Sequence, residues 1–147
     1  MQSVFKRLGC IAALAWVTHA GMAAAQPAAA QSPQTTAAGV RYVSGGVGEA
    51  QESAMRDIRG DYNLHLTFAR AGTGEFLADV KVQIDQEGRQ PFNAPVLATM
   101  SGPMLYVMLP DGQYRVRAET GGEVQNKVIS ISRGRARDLI VHFTAVS

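Results

Sequence analysis

The chain has 147 residues, 46% of them hydrophobic, with 14 Lys and Arg against 12 Asp and Glu. This is enough apolar material for one compact domain with a core and too little length for two. A single Cys and a near-balanced charge exclude a disulfide framework and give no ground for a strongly basic, polyanion-seeking surface.

The opening run, "MQSVFKRLGCIAALAWVTHAGMAAAQ", sets Lys6 and Arg7 before an apolar stretch from Leu8 to Val17, then small residues up to Ala25. That is the layout of a secretory signal peptide, expected over residues 1–25 with cleavage near Ala25-Gln26. The stretch is too short to stay as a membrane span, and the mature chain carries no other transmembrane candidate. Cys10 lies ahead of most of the apolar stretch, whereas a lipid-bearing Cys would follow it. Removal leaves 147 − 25 = 122 residues, and 14 − 2 = 12 basic against 12 acidic side chains. The only Cys and the only Trp leave too, so the mature domain must hold together by packing. A periplasmic or secreted location in a bacterial envelope is the expectation.

Residues 26–40, rich in Ala, Gln, Thr and Pro, read as a flexible tether with nothing to bury. Residues 41–61 read as a glycine hinge followed by a short helix. Val47, Ala50, Ala54 and Ile58 recur at helical spacing, acids fill the first turn, Arg56 and Arg59 the last, and Gly60 follows. The "SGGVG" before the helix raises the question of a phosphate cradle. A dinucleotide fingerprint needs glycine where Gln51 stands, and a phosphate loop needs Gly-Lys-Ser/Thr, yet this helix opens with Glu49. The expectation is a hinge.

From residue 62 to 147 the period becomes two. The runs "YNLHLTFA", "FLADVKVQI", "APVLAT", "PMLYVML", "QYRVRAE", "VQNKVISI" and "RDLIVHFTA" are divided by Gly-bearing turns, which predicts a mainly β, seven-stranded Greek-key sandwich of Ig-like kind with one short N-terminal helix. In "LPDGQY", Pro110 suits the second position of a type I turn and Gly112 the bulge after it. That register pairs Leu109 with Gln113, turns Met104 and Tyr106 into the core, and leaves Leu105 and Val107 outside beside Arg115 and Arg117. A two-residue turn through Asp111 and Gly112 would invert those faces. The predicted core is Leu64, Leu66, Phe68, Val80, Val82, Ile84, Met104, Tyr106, Tyr114, Val116, Ile129, Ile131, Leu139, Val141 and Phe143. The helical stripe is expected to lie over Leu105 and Val107 as a cover.

The run "GPMLYVMLPDGQYRVRAE", preceded by "YNLHLTFARAGTGEFLADVKVQI", resembles the Leu-Pro-x-Gly-x-Tyr-x-Val pattern of carboxypeptidase regulatory-like domains. The resemblance implies a transthyretin-like sandwich and an accessory or binding role. Transthyretin-like enzymes that hydrolyse 5-hydroxyisourate share that fold, but their terminal Tyr-Arg-Gly-Ser signature is absent from a chain ending "HFTAVS". With no nucleophile elbow either, the chain is expected not to be an enzyme.

Met100, Met104 and Met108 are spaced for a strand and suit core filling better than a soft-metal site. His65 and His142 are expected on outward faces without metal partners. No catalytic residue, metal or cofactor is assigned, and nucleic acid is disfavoured by export and by the lack of outward aromatics. What remains is a basic C-terminal third. Leu105, Val107, Arg115, Arg117, Arg133, Arg135 and Arg137 form the candidate surface for a protein partner or an anionic envelope polymer. The rival expectation is an exported protein handling a small ligand or metal.

Overall fold

The structure, a computed structural model, describes residues 32–88 and 94–144. The expected signal peptide and the first six residues of the expected tether lie outside the described residues. In chain order the elements are β1 (Gln34–Thr35), β2 (Arg41–Gly45), α1 (Gly48–Asp57), a 3-10 turn (Arg59–Asp61), β3 (Leu64–Arg70), β4 (Val80–Gln86), β5 (Leu97–Ser101), β6 (Met104–Met108), β7 (Gly112–Thr120), β8 (Glu123–Ile131) and β9 (Arg137–Phe143). Five strands form one sheet in the order β1-β2-β6-β3-β9, and four form the other in the order β5-β4-β7-β8. Every neighbouring pair is antiparallel except β3 with β9.

The expected sandwich and helix are present, with nine strands among the described residues in place of seven. The seven period-two runs are β3 to β9. The other two strands lie where a tether and a hinge were expected: β1 falls within residues 26–40, and β2 opens residues 41–61. "RYVSG" is too short for a period to stand out. Its strand is fixed from outside, by pairing along β6 from Arg41 opposite Met108 to Gly45 opposite Met104.

The largest correction concerns β6. Leu105 and Val107, expected outside, are fully buried between the sheets, while Met104 and Tyr106 face out of the sandwich. Neither turn proposed for "LPDGQY" forms, because β6 and β7 belong to different sheets and the segment between them is an arch, not a hairpin. With no cross-strand pairing at the turn, the turn residues do not set the register. The arch closes instead through the Tyr114 hydroxyl, which donates to the Pro110 carbonyl at 2.7 Å in the manner of a tyrosine corner.

The main core joins Leu64, Leu66, Phe68, Val80, Val82, Ile84, Tyr114, Val116, Ile131, Val141 and Phe143, all of them expected, with Ile129 and Leu139 at its margin. Val40, Leu77, Val96, Leu97, Leu105, Val107, Leu109 and Ala118 complete it. A second, smaller cluster lies on the outer face of the five-stranded sheet, where α1 covers Val43, Met104 and Tyr106 with Met55, Tyr62 and the edge of Ile58. The helix is therefore a cover, as expected, but over the opposite residues of β6. Its buried side chain is Met55, whereas Val47 is 57% exposed.

The glycines before α1 serve this geometry. Gly46 has φ +91°, and a Cβ there would lie 2.9 Å from Met104 Cγ, so the backbone passes directly over the side chain that α1 helps to bury.

Candidate functional site

Asn63, one residue before β3, organises one end of the sandwich. Its side-chain amide donates to the Leu109 carbonyl at 2.7 Å and its Oδ1 accepts from the Leu109 N–H at 2.8 Å. Its backbone N–H donates to Val107 O, and its carbonyl accepts from Arg137 N. One residue thus ties the end of β6 to the start of β9, and the paired amide bonds satisfy backbone groups that the arch leaves without a strand partner.

Beside this tie lies a groove of about 410 Å³, within the size range of small-molecule sites. Its lining combines the apolar side chains of Met108, Leu109 and Ala136 with Tyr62, Asp111, Arg133 and Arg135. The two arginines belong to the turn between β8 and β9. Arg135 N–H donates to Ser132 O at 3.1 Å, and Gly134 has φ 77°, the type II pattern that needs positive φ at its third position. Arg133 and Arg135 flank that glycine and are both exposed.

Charge pairing separates these two arginines from five of the others. Arg56, Arg59, Arg70, Arg115 and Arg117 each meet a carboxylate, respectively of Glu52, Asp138, Glu75, Glu87 and Glu119. Arg41 stacks over the Tyr62 ring at 5.8 Å. Among the described residues, no carboxylate lies within ion-pairing distance of Arg133 or Arg135.

Behind the groove the 3-10 turn is held from below. His65, expected to be exposed, is 5% exposed, because its face of β3 lies under that turn. Its Nε2 is 2.9 Å from Arg59 O and 3.1 Å from Tyr62 O, and its Nδ1 is 2.8 Å from Asp138 Oδ1. Carbonyl oxygens only accept, so Nε2–H donates to them. The same Asp138 oxygen is paired with Arg59, and the imidazole meets Tyr106 edge-on at 4.7 Å. The His-Asp pair resembles a catalytic dyad, but its outer nitrogen is engaged by two backbone carbonyls, which gives it a holding role. Burial pushes the Tyr106 phenol above its ordinary pKa, with the Arg59 charge opposing and the Asp138 charge adding. Tyr62 is raised for the same first reason, against the pull of Arg41.

The candidate surface read from the sequence divides into four. Leu105 and Val107 are core. Arg115 and Arg117 lie exposed on the outer face of the four-stranded sheet, in ion pairs. Arg137 donates from Nε to Ser130 O and does not line the groove. Arg133 and Arg135 do line it, joined by Tyr62, Asn63 and Asp111, which sequence reasoning missed. Asp111 was visible only as a turn residue, and a lone Asn before a strand carries no periodic signal. Exposed His142 stands where it was expected. Among the described residues, no group of three or more His, Cys, Asp or Glu side chains converges, and no helix is long and apolar enough to cross a membrane.

No protein-family model matches the chain, and no curated protein matches it. Among solved structures it is similar to Klebsiella pneumoniae 5-hydroxyisourate hydrolase, at 20% identity with a TM-score of 0.43, over 57% of this chain and 90% of that one. The expectation that the chain is not an enzyme meets a contrary finding here, since the protein of that similar structure is named as a hydrolase. The fold itself is a mainly β sandwich of two sheets.

Proposed function

We propose that the chain is an exported binding module of the bacterial envelope that takes a carboxylate-bearing ligand in the groove between the arch and the β8–β9 turn. The observation that carries this reading is the pair Arg133 and Arg135, left without ion-paired carboxylates in the lining of a partly apolar groove while five other arginines are ion-paired. A guanidinium presents a planar fork that matches a carboxylate, and two of them on one rigid turn make a receptor. The apolar part of the lining, Met108, Leu109 and Ala136, suits a ligand with a hydrocarbon body. The N-terminal run supports export, and the resemblance to carboxypeptidase regulatory-like domains supports an accessory role.

N-acetyl-leucine, a small carboxylate with an apolar body, is the probe. It should raise the melting temperature of the chain in a concentration-dependent way, since binding to the native state stabilises it. The double variant Arg133→Gln, Arg135→Gln should melt at the same temperature as the parent without probe and lose the rise. An equal rise in both proteins would place the carboxylate elsewhere and overturn the reading.

A further inference from the structure

The groove holds a second charge of opposite sign. Asp111, in the arch, lines it together with Arg133 and Arg135. Among the described residues no ion pair joins Asp111 to either arginine, and its side chain makes no hydrogen bond there. Their attachment points differ: Asp111 belongs to the arch between the two sheets, and the arginines to the turn between β8 and β9. Gly60 and Gly134, which carry no side chain into the space, also line it.

A carboxylate facing the space where an anion should bind works against that anion, unless the ligand also brings a positive donor. From this we infer that the ligand is a small zwitterion of the α-amino acid type with an apolar side chain. Its carboxylate meets Arg133 and Arg135, its ammonium meets Asp111, and its side chain lies on Met108, Leu109 and Ala136. Each ligand charge then meets its opposite, and charge-assisted hydrogen bonds form at both ends. A ligand with one charge alone leaves one pole of the groove unsatisfied and is repelled by the like charge there. This inference rests on the proposed carboxylate site and adds the second pole.

Three probes separate the two claims by calorimetric titration of the full chain: L-leucine, N-acetyl-leucine, which lacks the ammonium, and leucine amide, which lacks the carboxylate. Leucine is expected to bind about tenfold tighter than either, the ratio of one lost charge-assisted contact. Asp111→Asn should weaken leucine and strengthen N-acetyl-leucine, narrowing or inverting their ratio, because it removes an attraction from one and a repulsion from the other. If N-acetyl-leucine binds as well as leucine, the zwitterion is overturned and the carboxylate site stands. If neither binds, both fall. If leucine amide binds best, Asp111 alone recognises the ligand and the arginine pole is wrong.

Discussion

At the scale of single residues, Asn63 shows how one side chain can replace a strand. The arch after β6 leaves the Leu109 N–H and C=O without a neighbour, and the Asn63 amide meets both at 2.8 and 2.7 Å. Leaving a part-buried donor and acceptor unpaired costs about 1–3 kcal/mol each when water cannot reach them. Asn63→Ala should therefore lower stability by about 2 kcal/mol or more in urea denaturation, and it should also free the end of β6 that lines the groove. Asn63→Asp keeps the acceptor for the Leu109 N–H but sets a carboxylate against the Leu109 carbonyl, so it should not restore stability. Recovery to the parental midpoint with Asp would mean that the contact with the carbonyl contributes nothing. This role was not legible in the sequence. A lone Asn gains its meaning only when the fold brings Leu109, 46 positions away, beside it.

Among the elements, α1 is held to the sheet by little. It buries one side chain, Met55, onto Val43, Met104 and Tyr106, and it begins at Gly48 with φ +79°, so little besides that methionine locks it to the sheet. Met→Ala in a core costs about 2–5 kcal/mol, and the lower end applies where a neighbouring element can settle into the space. Met55→Ala should speed amide exchange in residues 48–57 far more than in β3 and β4, since local opening draws on the least-packed unit. A uniform rise through helix and sheets would show that α1 opens only with the whole sandwich. Much at this scale was legible beforehand. The helix was read from its apolar spacing and its acidic start, and its place over an outer sheet face was argued from uncovered apolar side chains. The face itself was read inverted, because the argument relied on Pro110 and Gly112 making a hairpin. The pair of sheets joined by the arch is a tertiary fact, and no turn residue encodes it.

For the whole molecule, the question is why a seven-strand sandwich carries two more strands. Without β2, the five-stranded sheet would end at β6, whose sequence is "MLYVM" and whose first four residues are buried. An apolar edge strand offers unpaired N–H and C=O groups to any other chain, and proteins cover or interrupt such edges. A strand apolar on both faces is also the mark of a position inside a sheet, so the burial of "MLYVM" was readable, though what would cover it was not. β2 covers it along five residues and links both clusters, with Val40 just before it in the main core and Val43 in the smaller one. A chain beginning at Val47 keeps every expected strand and loses β1 and β2, whereas one beginning at Ser32 keeps all nine. The shorter chain should self-associate at micromolar concentration, seen by light scattering after size exclusion, and Tyr106→Lys placed on it should restore part of the lost solubility by charging the bared strip. The chain from Ser32 should keep the association state of the full protein. If the chain from Val47 has that state too and melts with equal cooperativity, β6 tolerates being an edge, and the N-terminal strands do not guard the sandwich.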